Sequence, residues 1–182
     1  MEKEGVHMSK AKSLILTGFF IALGIVLPMA FHGIPYGGQI FSPMHIPVLL
    51  SGLVLGPVFG LICGVLTPFL SSTLTGMPPA TFLPAMTVEL GAFGLVGGLL
   101  MRYLPIRHYV PATYLSLIGA MLTGRIVAGI ANALIFQLGN YSLQIWVTSH
   151  FVRSLPGIVL HIVVVPLVYF ALRRAGLVHT SI

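Results

Sequence analysis

Glu89 and Arg125 are the only strong charges that fall inside the long apolar stretches of this 182-residue chain. A carboxylate or guanidinium held in hydrocarbon costs at least about 2.5–3.5 kcal/mol on insertion scales, so each must face a cavity or a partner. The guanidinium offers a planar fork of donors that matches a carboxylate, whether on a side chain or on a solute. Two uses stay open: a structural Glu89–Arg125 ion pair, or contact of these charges with an anionic or polar solute. Arg125 also begins a pattern. Arg125, Gly129, Asn132 and Phe136 recur at i, i+4, i+7 and i+11, which lays charge, gap, amide and aromatic along one helix face. Such a face suits a cavity wall; hydrogen bonding between helices is the alternative.

Other polar residues are candidates by position. His45 and His161 lie within or beside apolar runs, where a buried, hydrogen-bonded histidine is the common case. Neither has a Cys or Asp at ligand spacing, so no metal site is expected. The uncharged stretch 31–42 carries His32, Tyr36, Gln39 and Phe41, and the stretch 139–153 carries Tyr141, Gln144, Trp146, His150 and Arg153. Tyr141 and Trp146 suit the headgroup level as an interfacial belt. A binding pocket drawn from these residues has Arg125 and Arg153 as anion partners, with Glu89 and His45 nearby. Asn132 and Gln39 supply hydrogen bonds, and Tyr36, Phe41 and Phe136 form apolar walls. Catalytic patterns are missing: there is no H-E-x-x-H, no G-x-S-x-G and no nucleotide-binding glycine loop. With three acidic residues in all, paired-carboxylate chemistry has no material, and ATP hydrolysis must lie with other chains.

The elements that must hold these residues are membrane helices. Hydrophobic residues make up 57% of the chain and charged ones 7%, with mean hydropathy +1.03. A soluble domain carries about 25% charged residues. The apolar runs are continuous where barrel strands would alternate, so the fold class is all-α and integral to the membrane. Six crossings are expected. The first is Ser13–Ala30; its length and lack of an A-x-A site argue against a cleaved signal peptide. Two short helices share 41–76, a stretch of 36 residues with no Asp, Glu, Lys or Arg. Gly56-Pro57 should form the corner between them, because proline interrupts a helix and one helix of about 30 residues would overshoot a core about 30 Å thick. Gly52, Gly56, Gly60 and Gly64 recur every fourth residue, which lets another backbone approach closely. A stiff loop with Pro78-Pro79 follows, then helices over about 85–103, 112–138 and 154–172. Residues 1–12 and 175–182 are polar tails around a single domain, 13–174. Cys63 sits in an apolar run as an inert buried thiol. No internal repeat is visible.

Seven of the nine Lys and Arg fall in three places, Lys3, Lys10 and Lys12, Arg102 and Arg107, and Arg173 and Arg174. All flank hydrophobic segments, so the net charge of +6 orients the protein and does not point to nucleic acid. Both termini are then cytoplasmic and the loops after helices one, three and five face out.

The runs 41–64, 74–79 (LTGMPP), 83–100 and 123–129 (TGRIVAG) resemble the substrate-binding S component of energy-coupling factor (ECF) vitamin transporters, and the resemblance extends over 13–174. It implies a multi-pass cell-membrane protein of six helices that binds a small vitamin near its outer face under the first and third connecting loops. It also implies partners, a transmembrane coupling subunit and two ATPase subunits that use the ATP, with no cofactor in this chain. The docking pattern on helix one is usually A-x-x-x-A; Gly18 and Ala22 are its nearest match here. Among vitamins, one free positive charge and few aromatics favour pantothenate, with hydroxymethylpyrimidine, a pyridoxine-type vitamin or folate as alternatives. A stand-alone facilitator or channel would want a continuous polar stripe on several helices, and an intramembrane enzyme a catalytic dyad. The helices' inner ends are instead apolar and glycine-rich.

The charge distribution generates a topology test. Cysteines placed at Gly38 and Asn140 are expected to react with an impermeant thiol reagent in intact cells, and one at Ile106 is not. Labelling at Ile106 alone would reverse the orientation.

Overall fold

A computed structural model of the chain describes residues 9–31, 33–106 and 108–178. Lys3, His32 and Arg107, used above for charge and loop character, lie outside the described residues, as do most of the two tails. The described chain is helical, with α1 at Lys10–Met29, α2 at Gly37–Phe41, α3 at His45–Leu55, α4 at Pro57–Thr75 and α5 at Leu83–Tyr103. Next come α6 at Tyr109–Ala131, which runs on as a π-turn over Asn132–Phe136, and α7 at Leu143–Val147, followed by a π-turn over Thr148–Val152. The last helix is α8 at Leu155–Arg174. Six stretches are long and apolar enough to cross a membrane: Lys10–Met29, Gly37–Leu55, Pro57–Thr75, Leu83–Tyr103, Tyr109–Phe136 and Leu155–Arg174. The six crossings and the all-α class therefore stand.

Helix ends differ from the sequence expectation where local chemistry decides. The first helix starts at Lys10, because the Ser9 hydroxyl accepts from the Lys12 amide at 3.3 Å and caps it. The stretch 31–42 is not all loop. Its Gly37–Phe41 portion is a helical turn, flanked by Tyr36 and Ser42 in the left-handed region at φ 57° and 45°. Those two kinks let α2 and α3 share one crossing. Within 139–153, residues 143–152 are likewise helical. After α4, the Ser71 and Ser72 hydroxyls donate to the Met77 and Pro78 carbonyls at 2.7 and 2.8 Å, which pins the loop ahead of α5.

The corner between α3 and α4 forms where expected. Gly56 takes φ 91°, ψ −179°, a conformation closed to L side chains, and Pro57 opens α4. α3 is the innermost helix: Val48, Leu49, Leu50 and Leu53 are buried against Leu90 and Phe93 of α5, Leu117 and Met121 of α6, and Val165 and Tyr169 of α8. The four-residue glycine spacing has a defined use. A Cβ on Gly60 of α4 would strike the Gly94 carbonyl and the Gly52 Cα, and one on Gly64 would strike the Leu90 carbonyl. Three backbones thus meet at Gly52, Gly60 and Gly94. The outward surface is apolar, with Ile15, Phe19, Val58, Leu134 and Val163 exposed where lipid tails would solvate them.

Gly60→Ala should destabilise the detergent-solubilised protein by about 1–3 kcal/mol, since backbone atoms cannot yield as side chains do. Gly18 has open space around its Cβ position, so Gly18→Ala should leave the melting temperature unchanged or slightly raised. Equal shifts for the two would exclude the close crossing.

Candidate functional site

The interior charges come together through α5 and α6. Glu89 lies about two turns into α5 and faces inward because Leu90 and Gly91, next to it, lie against Gly64 of α4. Gly124 on α6 leaves room for the Phe93 ring, so the two helices approach closely along this face. That brings Arg125 to Glu89, with Nε 3.8 Å from Oε1. Both residues are buried, and the distance is an ion pair without a hydrogen bond. Arg125 Nε has no hydrogen-bond partner, so the guanidinium keeps donor capacity.

A third group completes the cluster. His150 Nδ1 lies 3.4 Å from the same Glu89 oxygen, brought there by the π-turn over Thr148–Val152. The π-turn and α7 before it each contact Arg125 once. From the π-turn comes Phe151 and from α7 Trp146. The Phe151 ring centroid stands 5.4 Å from the Arg125 guanidinium carbon, within cation–π range, and the Trp146 indole N–H donates to the Arg125 carbonyl at 2.9 Å. Trp146 reaches that carbonyl because Gly129 is bare; a Cβ there would occupy the indole's place. Expected as a belt residue, Trp146 instead turns its polar edge inward. Residues 143–152 are therefore strapped across the outer end of the bundle by the two buried charges.

Around this cluster the other candidates are placed as follows. Asn132 is buried two turns outward of Arg125 and accepts from Gln137 Nε2 at 3.4 Å. His45 is buried on α3, against Phe93 of α5 at 5.3 Å between ring centroids. Phe136 is part-exposed on the π-turn that ends α6, and Arg153 is exposed just after the second π-turn. Tyr36 and Gln39 are exposed around α2, and the Phe41 ring lies tilted against Phe31 with centroids 5.3 Å apart. Gly18 and Ala22 are exposed on one face of α1. Among the described residues, no three His, Cys, Asp or Glu side chains come together as metal ligands.

Of the residues that meet the two charges, Phe151 was not singled out in the sequence, and His150 and Trp146 were named there only as members of the stretch 139–153, outside the expected pocket. A groove of about 300 Å³ also opens where Trp146, Tyr141 and Leu143 meet Ile126 and Ile130 of α6. It is mostly apolar and follows the exposed edge of α6, so the charge cluster and not the groove carries the polar chemistry. The Tyr141 hydroxyl beside it is buried, and burial raises its pKa above the usual phenol value.

Compared with known protein families, residues 12–169 match the family described as ECF transporter, substrate-specific component. Among curated proteins, none matches the chain.

The ion pair makes a stability prediction. Glu89→Gln leaves Arg125 buried without its counter-charge and should cost about 3–5 kcal/mol, part of which Glu89→Gln with Arg125→Met should restore. A double-mutant cycle read by unfolding in detergent should give a coupling of about 0.5–3 kcal/mol. Simple additivity would mean the two charges do not interact.

Proposed function

Because the chain belongs to the substrate-specific components of ECF transporters, we propose that it captures a small water-soluble vitamin outside the cell, pantothenate being favoured. Proteins of this family are transport subunits of the cell membrane and not enzymes, and they work with an energising module. For this chain, that module would comprise a transmembrane coupling subunit and two ATPases, with ATP used there.

The observation that carries the substrate choice is Arg125, a buried guanidinium whose counter-charge Glu89 stands at 3.8 Å and whose Nε donates to nothing. A ligand carboxylate can take those donors while Glu89 keeps His150 as a partner. Arg153, exposed beside the strap, would draw the anion in; Asn132 and Gln39 would bond its polar groups, and Tyr36, Phe41 and Phe136 would close on its apolar parts. Hydroxymethylpyrimidine and pyridoxine lack a carboxylate and would leave Arg125 Nε unanswered, and folate would want more stacking surface than these residues offer.

Binding is tested by calorimetry with pantothenate. Arg125→Ala should weaken binding at least tenfold, and tight binding of an uncharged vitamin to both proteins would discard pantothenate and this role together. Docking is tested separately. Gly18 and Ala22 lie exposed, one turn apart, with open space at Gly18, as a close helix contact needs. Changing both to Leu should abolish uptake in cells while the purified protein still binds ligand. Loss of binding as well would make them fold residues.

A further inference from the structure

Two buried imidazoles take no direct part in the Glu89 cluster. His161 of α8 and His45 of α3 stack with ring centroids 5.6 Å apart and planes 15° from parallel. His161 is wholly buried at 0% exposure, and its Nε2 lies 3.1 Å from the Ser42 carbonyl oxygen. A carbonyl has no proton to give, so Nε2 must carry the hydrogen and donate it. The neutral ring then presents Nδ1 as a bare acceptor. That Nδ1 has no partner in the protein, and neither has Nδ1 of His45. Leaving such a buried acceptor unanswered costs about 1–3 kcal/mol, and native interiors rarely tolerate it without cause.

The backbone enforces this arrangement. Ser42 holds φ 45°, a left-handed conformation costing a non-glycine residue about 1–3 kcal/mol. The kink joins α2 to α3 and sets its carbonyl against His161, while the α2 end packs on Gly157, where a Cβ would meet the Ile40 and Phe41 carbonyls at 2.8 Å. His161 lies six residues into α8, as Glu89 lies six into α5, so both sit roughly 9 Å below the outer ends of their helices. The free Nδ1 is thus at the depth of the charge cluster.

We propose that His161 is a ligand-binding residue whose Nδ1 accepts a hydrogen bond from a hydroxyl or N–H group of the bound vitamin, beside the stacked His45 ring. This rests on the vitamin-binding function proposed above and narrows it. The ligand must carry a donor separate from whatever group meets Arg125. A carboxylate with no such donor leaves Nδ1 orphaned and is rejected, because a site built to hydrogen-bond discriminates strongly against a ligand that cannot.

The test uses the full chain, labelled with ¹⁵N-histidine in lipid nanodiscs, and three probes: pantothenate, pyridoxine and hydroxymethylpyrimidine. The His161 Nδ1 resonance, assigned by its loss in His161→Gln, should sit at the bare-acceptor position without ligand and move toward the hydrogen-bonded position with the vitamin that binds. His161→Leu should bind that vitamin about tenfold more weakly or worse. His161→Gln should recover most of the loss, since its amide can donate to the Ser42 carbonyl and accept from the ligand. Should His161→Leu fail to fold, the wild-type resonance and the Gln variant decide. A vitamin that binds while Nδ1 stays unmoved overturns the inference, as does unchanged affinity in His161→Leu or an Nδ1 that answers none of the three. If pyridoxine or hydroxymethylpyrimidine moves the resonance and pantothenate does not bind, the substrate choice fails and the role of His161 stands. Pantothenate binding with Nδ1 unmoved gives the reverse.

Discussion

The backbone crossing at Gly52, Gly60 and Gly94 is the contact on which the rest of this molecule depends. In a bilayer, apolar side chains gain nothing by leaving lipid for one another, so helices associate through close packing and interhelical hydrogen bonds. Here α3, α4 and α5 approach until carbonyl and Cα atoms touch, at a spot where any side chain would collide. That contact fixes the height and rotation of α5. With Gly94 and Gly91 turned toward α4, Phe93 and Glu89 are presented to α6, and Gly124 accepts the Phe93 ring. The inward aim of the Glu89 carboxylate is therefore a consequence of where the glycines lie.

From that carboxylate the outer end of the bundle is organised. Glu89 meets Arg125 from α6 and His150 from the segment after α7, and Arg125 in turn holds Phe151 over its guanidinium and Trp146 on its carbonyl. Neither charge could be left alone in the membrane interior, and the strap of residues 143–152 helps satisfy both. The ion pair within the cluster is long, at 3.8 Å, and Arg125 Nε keeps an unused donor. At the inner end the Gly56-Pro57 corner and Gly98 pack backbone against backbone.

Much of this could be read from the chain itself, and the reason is that the relevant physics is local. Length and hydropathy set the crossings, and the basic residues at segment ends set their direction. A proline after a glycine in the middle of an uncharged run marks a corner whatever surrounds it. Glu89 and Arg125 announce themselves because a charge in hydrocarbon needs a partner in any fold. The short helix α2 was hidden for the converse reason. Glycine-rich sequence has little helical preference of its own, and its turn is held by left-handed Tyr36 and Ser42 and by contact with Gly157.

What the tertiary structure alone decided is which polar residues meet. These helices are apolar on nearly every face, so periodicity gives no rotation about the helix axis, and rotation is what selects a partner. His150 reaches Glu89 across 61 residues of sequence, Trp146 reaches Arg125 across 21, and His161 reaches the Ser42 carbonyl across 119. No spacing rule links such pairs. They exist because glycine contacts, a strained corner at Ser42 and two π-turns turn each side chain to its place. The sequence determined that this protein lies in the membrane with two charges to satisfy; packing between helices determined what satisfies them.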